Sequence, residues 1–186
     1  TRSRLDRMLM HGTTTAGAKT GYGLESATEL KMLSAIRRLD QEHAIDLVPT
    51  FLGAHAIPIE YKGRENAYTD LVVTEMLPAL SESKPEFVDV FCEAGAFTLE
   101  QTEKILVRAK ESGYALKIHV DEFEPLGGTR LGVELGAVSV DHVVSTPPAE
   151  VELLGQSKTI AVGLPGTPFG LAQKDYTPAR KILGAG

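Results

Sequence analysis

The order of its predicted elements constrains the fold of this chain most, because strand-like and helix-like segments alternate along its whole length. Six apolar or β-branched runs are typical of strands, at residues 13–19, 45–55, 86–93, 115–120, 137–144 and 159–164. Amphipathic segments separate these runs, and residues 26–43 carry an apolar stripe at helical spacing. This alternation predicts parallel strands joined by helical crossovers, and the mostly apolar strands indicate a sheet that is covered on both faces.

Local signals mark several helix boundaries. Residues 98–113 begin with Thr98, carry Gln101 three residues later and end in glycine, which predicts a capping box and a glycine stop. Residues 66–80 predict a helix interrupted near Pro78, because proline lacks the backbone N–H group that continues a helix. Two shorter helices are predicted at residues 127–136 and 148–155, and each ends in glycine.

Two architectures fit this order, an open doubly wound sheet and a (β/α)₈ barrel. Neither GxGxxG after the first strand nor GxxxxGK[ST] is present, which disfavours a nucleotide-binding open sheet. Functional residues of a barrel lie at the C-terminal ends of several strands. Here those ends carry polar or reactive side chains: Lys19 with Tyr22, His55, Glu93, His119 with Glu122, and His142. The barrel is therefore favoured, but six strands form only part of an eight-stranded ring.

Composition limits the function classes. The chain has 186 residues and a net charge of −6. It contains no run of lysine or arginine of the kind that indicates a nucleic-acid surface. No apolar run reaches the length of about 18 residues that indicates a membrane span. Cys92 is the single cysteine, which excludes an internal disulfide and is typical of a reducing compartment. We therefore expect a cytoplasmic protein that binds neither nucleic acid nor membranes.

The segment LKIHVDEFEPLGG, residues 116–128, is the strongest candidate for a reactive site. A histidine with nearby carboxylates at the end of a buried strand is an arrangement that metal-dependent hydrolases use to hold and activate water. We predict that His119 is a metal ligand and that Glu122 contacts substrate or water. Strand alternation places Asp121 on the same face as His119, and we expect it to be a supporting acid.

Three further residues are candidates for the same site. His142 follows Asp141 at a strand end, where a neutral imidazole could orient water or stabilise an oxyanion; a histidine held only by structural hydrogen bonds is the alternative. His55 leads into a long loop, and Tyr22 lies between two glycines that allow a close turn, so both are predicted to contact a polar ligand. His43 is expected to cap a helix or face solvent, and His11 to be structural.

Taken together and in order, several segments closely resemble the imidazolonepropionase family of the metal-dependent amidohydrolases. They are TTTAGAKTGYGL, PTFLGAHAIPIEYKGREN, VDVFCEAGAFTLEQ, LKIHVDEFEPLGG, GAVSVDHV and LPGTPFGLAQKDYTPARKILGAG, and the resemblance covers essentially the whole chain. It implies a (β/α)₈ TIM barrel of the amidohydrolase type, with strands two to seven present here. Residues 1–186 are then a single partial barrel domain of an internal fragment, without the small β-rich domain of the family.

The resemblance also implies a reaction and a set of roles. The reaction is hydrolysis of 4-imidazolone-5-propanoate to N-formimidoyl-L-glutamate in histidine degradation, by a homodimer with one zinc or iron ion per chain. His119 corresponds to a metal ligand, Glu122 to the acid that contacts substrate and activates water, and His142 to a histidine near that water. Tyr22 and His55 correspond to substrate-contacting positions.

The chain departs from the family pattern at the metal. The HxH motif and the DxNPG-like aspartate that supply the remaining ligands are absent from these residues, and so is the substrate-binding arginine after HxH. We therefore expect that this chain alone does not turn over. Two alternatives stay open: another cyclic amidohydrolase or deaminase, and a catalytically incomplete fragment.

Overall fold

A computed structural model describes residues 1–186 as one sheet of six parallel strands with helical crossovers. The strands lie side by side in chain order. They are β1 (Thr15–Lys19), β2 (Asp46–Ala54), β3 (Phe87–Cys92), β4 (Ala115–Val120), β5 (Ser139–His142) and β6 (Ile160–Val162). All six lie within the predicted runs; β4 matches its run, and the other five strands are shorter, β5 and β6 by half.

The crossovers are helical, as predicted. The α-helices are α1 (Arg2–Met10), α2 (Ser26–Glu42), α3 (Glu65–Leu71), α4 (Leu77–Ser83), α5 (Leu99–Glu111), α6 (Gly128–Leu135), α7 (Pro148–Gly155), α8 (Gly166–Gly170) and α9 (Ala179–Ala185). A short 3₁₀ helix at Ile59–Tyr61 lies in the loop after β2. The predicted capping box is present, because Thr98 accepts from the backbone of Gln101 and Gln101 accepts from the backbone of Thr98. No helix has both the length and the apolar character needed to cross a bilayer.

The sheet is strongly curled. The Nζ atom of Lys19 on β1 lies 2.8 Å from Oδ2 of Asp141 on β5. Four strand spacings separate these two strands, which is about 19 Å across a flat sheet. Side chains can meet over that span only if the sheet bends around them, so the six strands form part of a (β/α) barrel. The predicted fold class is confirmed.

The hydrophobic core lies between the outer face of the sheet and the helices. It is a cluster of 22 buried residues that includes Leu33, Phe51, Leu106 and Ile118. The inner face of the sheet is instead rich in polar side chains that lie near the curled axis. The apolar strand residues therefore hold the helices in place, and the alternate residues remain available for a site.

One local prediction needs correction, and another is confirmed in one of its two forms. The helix expected to be interrupted near Pro78 widens instead into a π-helical turn, Val72–Met76, one turn before the proline. The proline has no N–H group to donate, so the backbone accommodates it without ending the helix. His43 is the C-cap residue of α2, the first of the two roles expected of it, and its ring packs inward, 3.1 Å from Asp6, where it accepts a hydrogen bond from the backbone of Ile45.

Candidate active site

Five rings form one continuous row across the C-terminal edge of the sheet. In order they are Tyr22, His55, Phe91, His119 and His142, and successive ring centroids lie 4.9, 5.9, 6.0 and 5.2 Å apart. Four of these residues are sequence candidates. The fifth, Phe91, joins the two halves of the row, and no sequence signal distinguishes it from a core residue.

The backbone of Gly21 fixes the first pair of rings. Its φ of +113° lies in a region that favours glycine, and a Cβ atom there would lie 2.8 Å from the carbonyl oxygen of Leu52. The carbonyl of Gly21 lies 3.0 Å from Nδ1 of His55, so Nδ1 carries the proton and Nε2 is left as an acceptor. Tyr22 packs edge-on against His55, and 81% of its surface is exposed to solvent. Both side chains are thus available to a ligand.

Asp89 fixes the orientation of His119. Its Oδ1 atom lies 3.0 Å from Nδ1 of His119, and a carboxylate can only accept, so Nδ1 carries the proton. The Nε2 atom has no hydrogen-bond partner within the chain. Although burial alone would raise it, the pKa of the fully buried Asp89 falls to about 2, because His119 and Lys19 stabilise the carboxylate.

Lys19 lies between two buried carboxylates. Its Nζ atom is 2.7 Å from Oδ2 of Asp89 and 2.8 Å from Oδ2 of Asp141. Burial favours the neutral amine, but the two carboxylates outweigh it and raise the pKa of Lys19. The ligand atoms of Asp89, His119 and Asp141 lie within 4.8 Å of one another, a group that could hold a metal ion. In this structure the two carboxylates bind the lysine ammonium.

Glu122 and His142 form a second, adjoining pair. Oε2 of Glu122 lies 3.4 Å from Nε2 of His142, and both side chains are buried. Burial, followed by the proximity of His119, lowers the pKa of His142 to about 4, so its imidazole is neutral at pH 7. Burial, with a smaller contribution from Glu93, raises the pKa of Glu122, although His119 opposes this shift. A cavity of about 330 Å³ opens beside Glu122.

The backbone at this pair is in an unusual conformation. His142 and Val143 have φ values of 77° and 46°, which non-glycine residues rarely adopt. The Nδ1 atom of His142 is buried without a hydrogen-bond partner. Strained backbone and an unpartnered buried nitrogen each cost free energy, and such features concentrate at functional sites.

Asp121 does not share a face with His119. Its φ of 53° ends the alternation of the strand, and its side chain instead accepts hydrogen bonds from Thr129 at 2.6 Å and Thr146 at 2.7 Å. This change of direction also lets Glu122 lie toward His142. Asp121 thus joins α6 to the loop after β5.

Comparisons with known proteins agree with this geometry, although no family model matches the chain. The chain is 56% identical to the imidazolonepropionase of Herpetosiphon aurantiacus over 193 residues, covering 100% of this chain and 45% of that protein. It is 49% identical to that of Alkaliphilus metalliredigens, covering 98% and 43%. The crystal structure of an adenine deaminase from Arthrobacter aurescens superposes with a TM-score of 0.70 at 17% identity, covering 100% and 58%.

The curled parallel sheet, with histidines and carboxylates at its strand ends, is part of a (β/α) barrel, the fold that it shares with the adenine deaminase. Within that class, the chain belongs to the imidazolonepropionase family over the part of those proteins that it covers. It spans less than half the length of the two relatives described here.

Proposed function

We propose that this chain supplies one catalytic edge of an enzyme that hydrolyses 4-imidazolone-5-propanoate to N-formimidoyl-L-glutamate in histidine degradation. The observation that carries the proposal is the convergence of His119, Glu122 and His142 at one edge of the barrel, in a chain 56% identical to an imidazolonepropionase. We further propose that the enzyme is cytoplasmic and forms a homodimer. Sedimentation analysis would test the dimer.

The residues present fit one divalent metal ion, which we propose to be zinc or iron. A metal-binding histidine commonly donates its other ring N–H to a carboxylate, as His119 does to Asp89. Nε2 of His119 would then be the ligand atom offered to the ion, while Asp89 and Asp141 would remain bound to Lys19. Zinc and iron both accept histidine and carboxylate ligands, and the other ligands come from outside these residues. When bound, such an ion activates a water molecule near neutral pH.

The proposed reaction needs one proton to change place. The water oxygen bonds to the ring carbonyl carbon, the adjacent C–N bond breaks, and the ring nitrogen takes up a proton. Glu122 accepts the proton from water and delivers it to that nitrogen, because a carboxylate with a raised pKa can both take and release it. The neutral imidazole of His142 donates an N–H to the developing oxyanion. Tyr22 and His55 position the ring and its propanoate.

Glu122→Gln tests the proton transfer directly. The experiment uses the encoded protein, meaning the full product of the gene that contains these 186 residues. We expect kcat to fall by about 100-fold or more, because general acid–base catalysis contributes that much, while metal content stays unchanged. The matched control is Glu124→Gln, an exposed glutamate two residues away. Turnover of Glu122→Gln within a few-fold of the control would show that Glu122 does not move the proton.

A cyclic deaminase is the competing reaction, since an adenine deaminase shares the fold. The same assay distinguishes the two, because a deaminase releases ammonia whereas hydrolytic ring opening of the imidazolone yields formimidoyl-glutamate. Release of ammonia in proportion to substrate consumed would contradict the proposed function.

A further inference from the structure

Glu93, at the C-terminal end of β3, is a buried carboxylate that the proposed reaction does not use. Only 2% of its surface is exposed, and no cation pairs with it. Its Oε1 accepts from the backbone N–H groups of Ala94 and Glu124, each at 3.0 Å, and its Oε2 accepts from that of Phe123 at 3.0 Å. Burying a charge without partners is costly, so these three hydrogen bonds hold the carboxylate in place.

Two of these donors belong to the loop after β4, and they follow Glu122 directly in the chain. On the other side of Glu122, Asp121 is fixed through its own side chain, which binds two threonines, and through its carbonyl, which accepts from the backbone of Ser145 at 2.8 Å. The backbone is therefore fixed immediately before and immediately after Glu122. The side chain of Glu93 fixes the backbone after Glu122, at Phe123 and Glu124.

We propose that Glu93 is a positioning residue, which fixes the direction of the Glu122 side chain by holding the backbone of Phe123 and Glu124. This inference rests on the proposed function. A glutamine at position 93 keeps the shape of the side chain but replaces one acceptor oxygen by an NH₂ group. That group faces a backbone N–H, so at least one hydrogen bond is lost, and the loop that carries Glu122 loosens.

A double-mutant cycle tests the inference in the encoded protein, with Glu93→Gln, Glu122→Gln and the double variant. We expect Glu93→Gln to lower kcat by about 10- to 100-fold, as small misplacements of a reacting group do, with a smaller change in KM. In the Glu122→Gln background it should have no further effect, because it acts through Glu122. Glu86→Gln is the matched control, since Glu86 is exposed at the opposite end of the same strand.

Hydrogen exchange gives a second readout that does not depend on turnover. We expect faster amide exchange at residues 122–124 in Glu93→Gln than in Glu86→Gln, with the rest of the chain unchanged. This distinguishes the two proposals, because a wild-type protein without imidazolone turnover defeats the proposed function and leaves the exchange result to decide the role of Glu93.

Three results would overturn the positioning role. The first is that Glu93→Gln lowers turnover by the same factor in the wild-type protein and in the Glu122→Gln variant. The second is exchange that rises across the whole chain or not at all. The third is failure of Glu93→Gln to fold while Glu86→Gln folds, which would make Glu93 a requirement of the fold as a whole.

Discussion

Replacing Lys19 by methionine removes the only cation that lies between Asp89 and Asp141 at hydrogen-bond distance. The side chains of these aspartates are 0% and 5% exposed, whereas that of Lys19 is 28% exposed. Removing one partner of a buried ion pair costs about 3–5 kcal/mol, because the remaining charge stays buried. Partial exposure of Lys19 lets water reach the site, so we expect the free energy of unfolding to fall by about 2–4 kcal/mol at pH 7.

Urea unfolding of the encoded protein measures this cost, with a chelator present so that bound metal does not contribute. Lys31→Met is the matched control, since Lys31 is an exposed lysine on α2 that makes no ion pair. Adding Asp141→Asn to Lys19→Met removes one of the stranded carboxylates, and the double variant should recover about 1–2 kcal/mol. If the free energy of unfolding of Lys19→Met lies within about 0.5 kcal/mol of that of the control, the ion pairs of Lys19 with Asp89 and Asp141 do not stabilise the barrel.

Three further predictions concern separate parts of the structure. The free energy of unfolding of the metal-free protein should fall by about 1–2 kcal/mol as the pH falls from 6.5 to about 4. The reason is that the pKa of His142 is about 4 in the folded state, so the unfolded state binds the proton first. Urea unfolding should show a smaller fall for His142→Gln. Gly128→Ala should destabilise by about 1–3 kcal/mol in thermal unfolding, since its Cβ would lie 2.6 Å from Val120, whereas Gly166→Ala, with open space around it, should not destabilise. Tyr22→Phe should raise KM about 5-fold with kcat nearly unchanged, as loss of one substrate hydrogen bond predicts, and an equal effect on kcat would contradict that role.

The fold could be predicted from the sequence because its signals are local. Alternating apolar runs and amphipathic helices repeat along the chain, and the Thr98–Gln101 capping box marks one helix start. Polar residues at the ends of apolar strand-like runs can also be recognised from the sequence. The sequence therefore predicts that His119, Glu122 and His142 lie at one edge of the sheet.

The ion pairs of Lys19 with Asp89 and Asp141 could not be predicted, because they depend on the curvature of the sheet. Lys19 and Asp141 meet across four strands, and no spacing in the sequence encodes that distance. Asp89 did give a signal, as a lone aspartate at the centre of the apolar run EFVDVFC, where a buried charge needs a partner. The role of Glu93 depends on the path of the loop after β4, which the left-handed backbone of Asp121 sets.

Identifying the product that the encoded protein forms from 4-imidazolone-5-propanoate, in water enriched in heavy oxygen, tests the proposed reaction most directly. Hydrolytic ring opening predicts N-formimidoyl-L-glutamate with one heavy oxygen atom in its new carboxylate, and no ammonia. Unchanged substrate, or a product formed with release of ammonia, would contradict the proposed chemistry of this barrel edge.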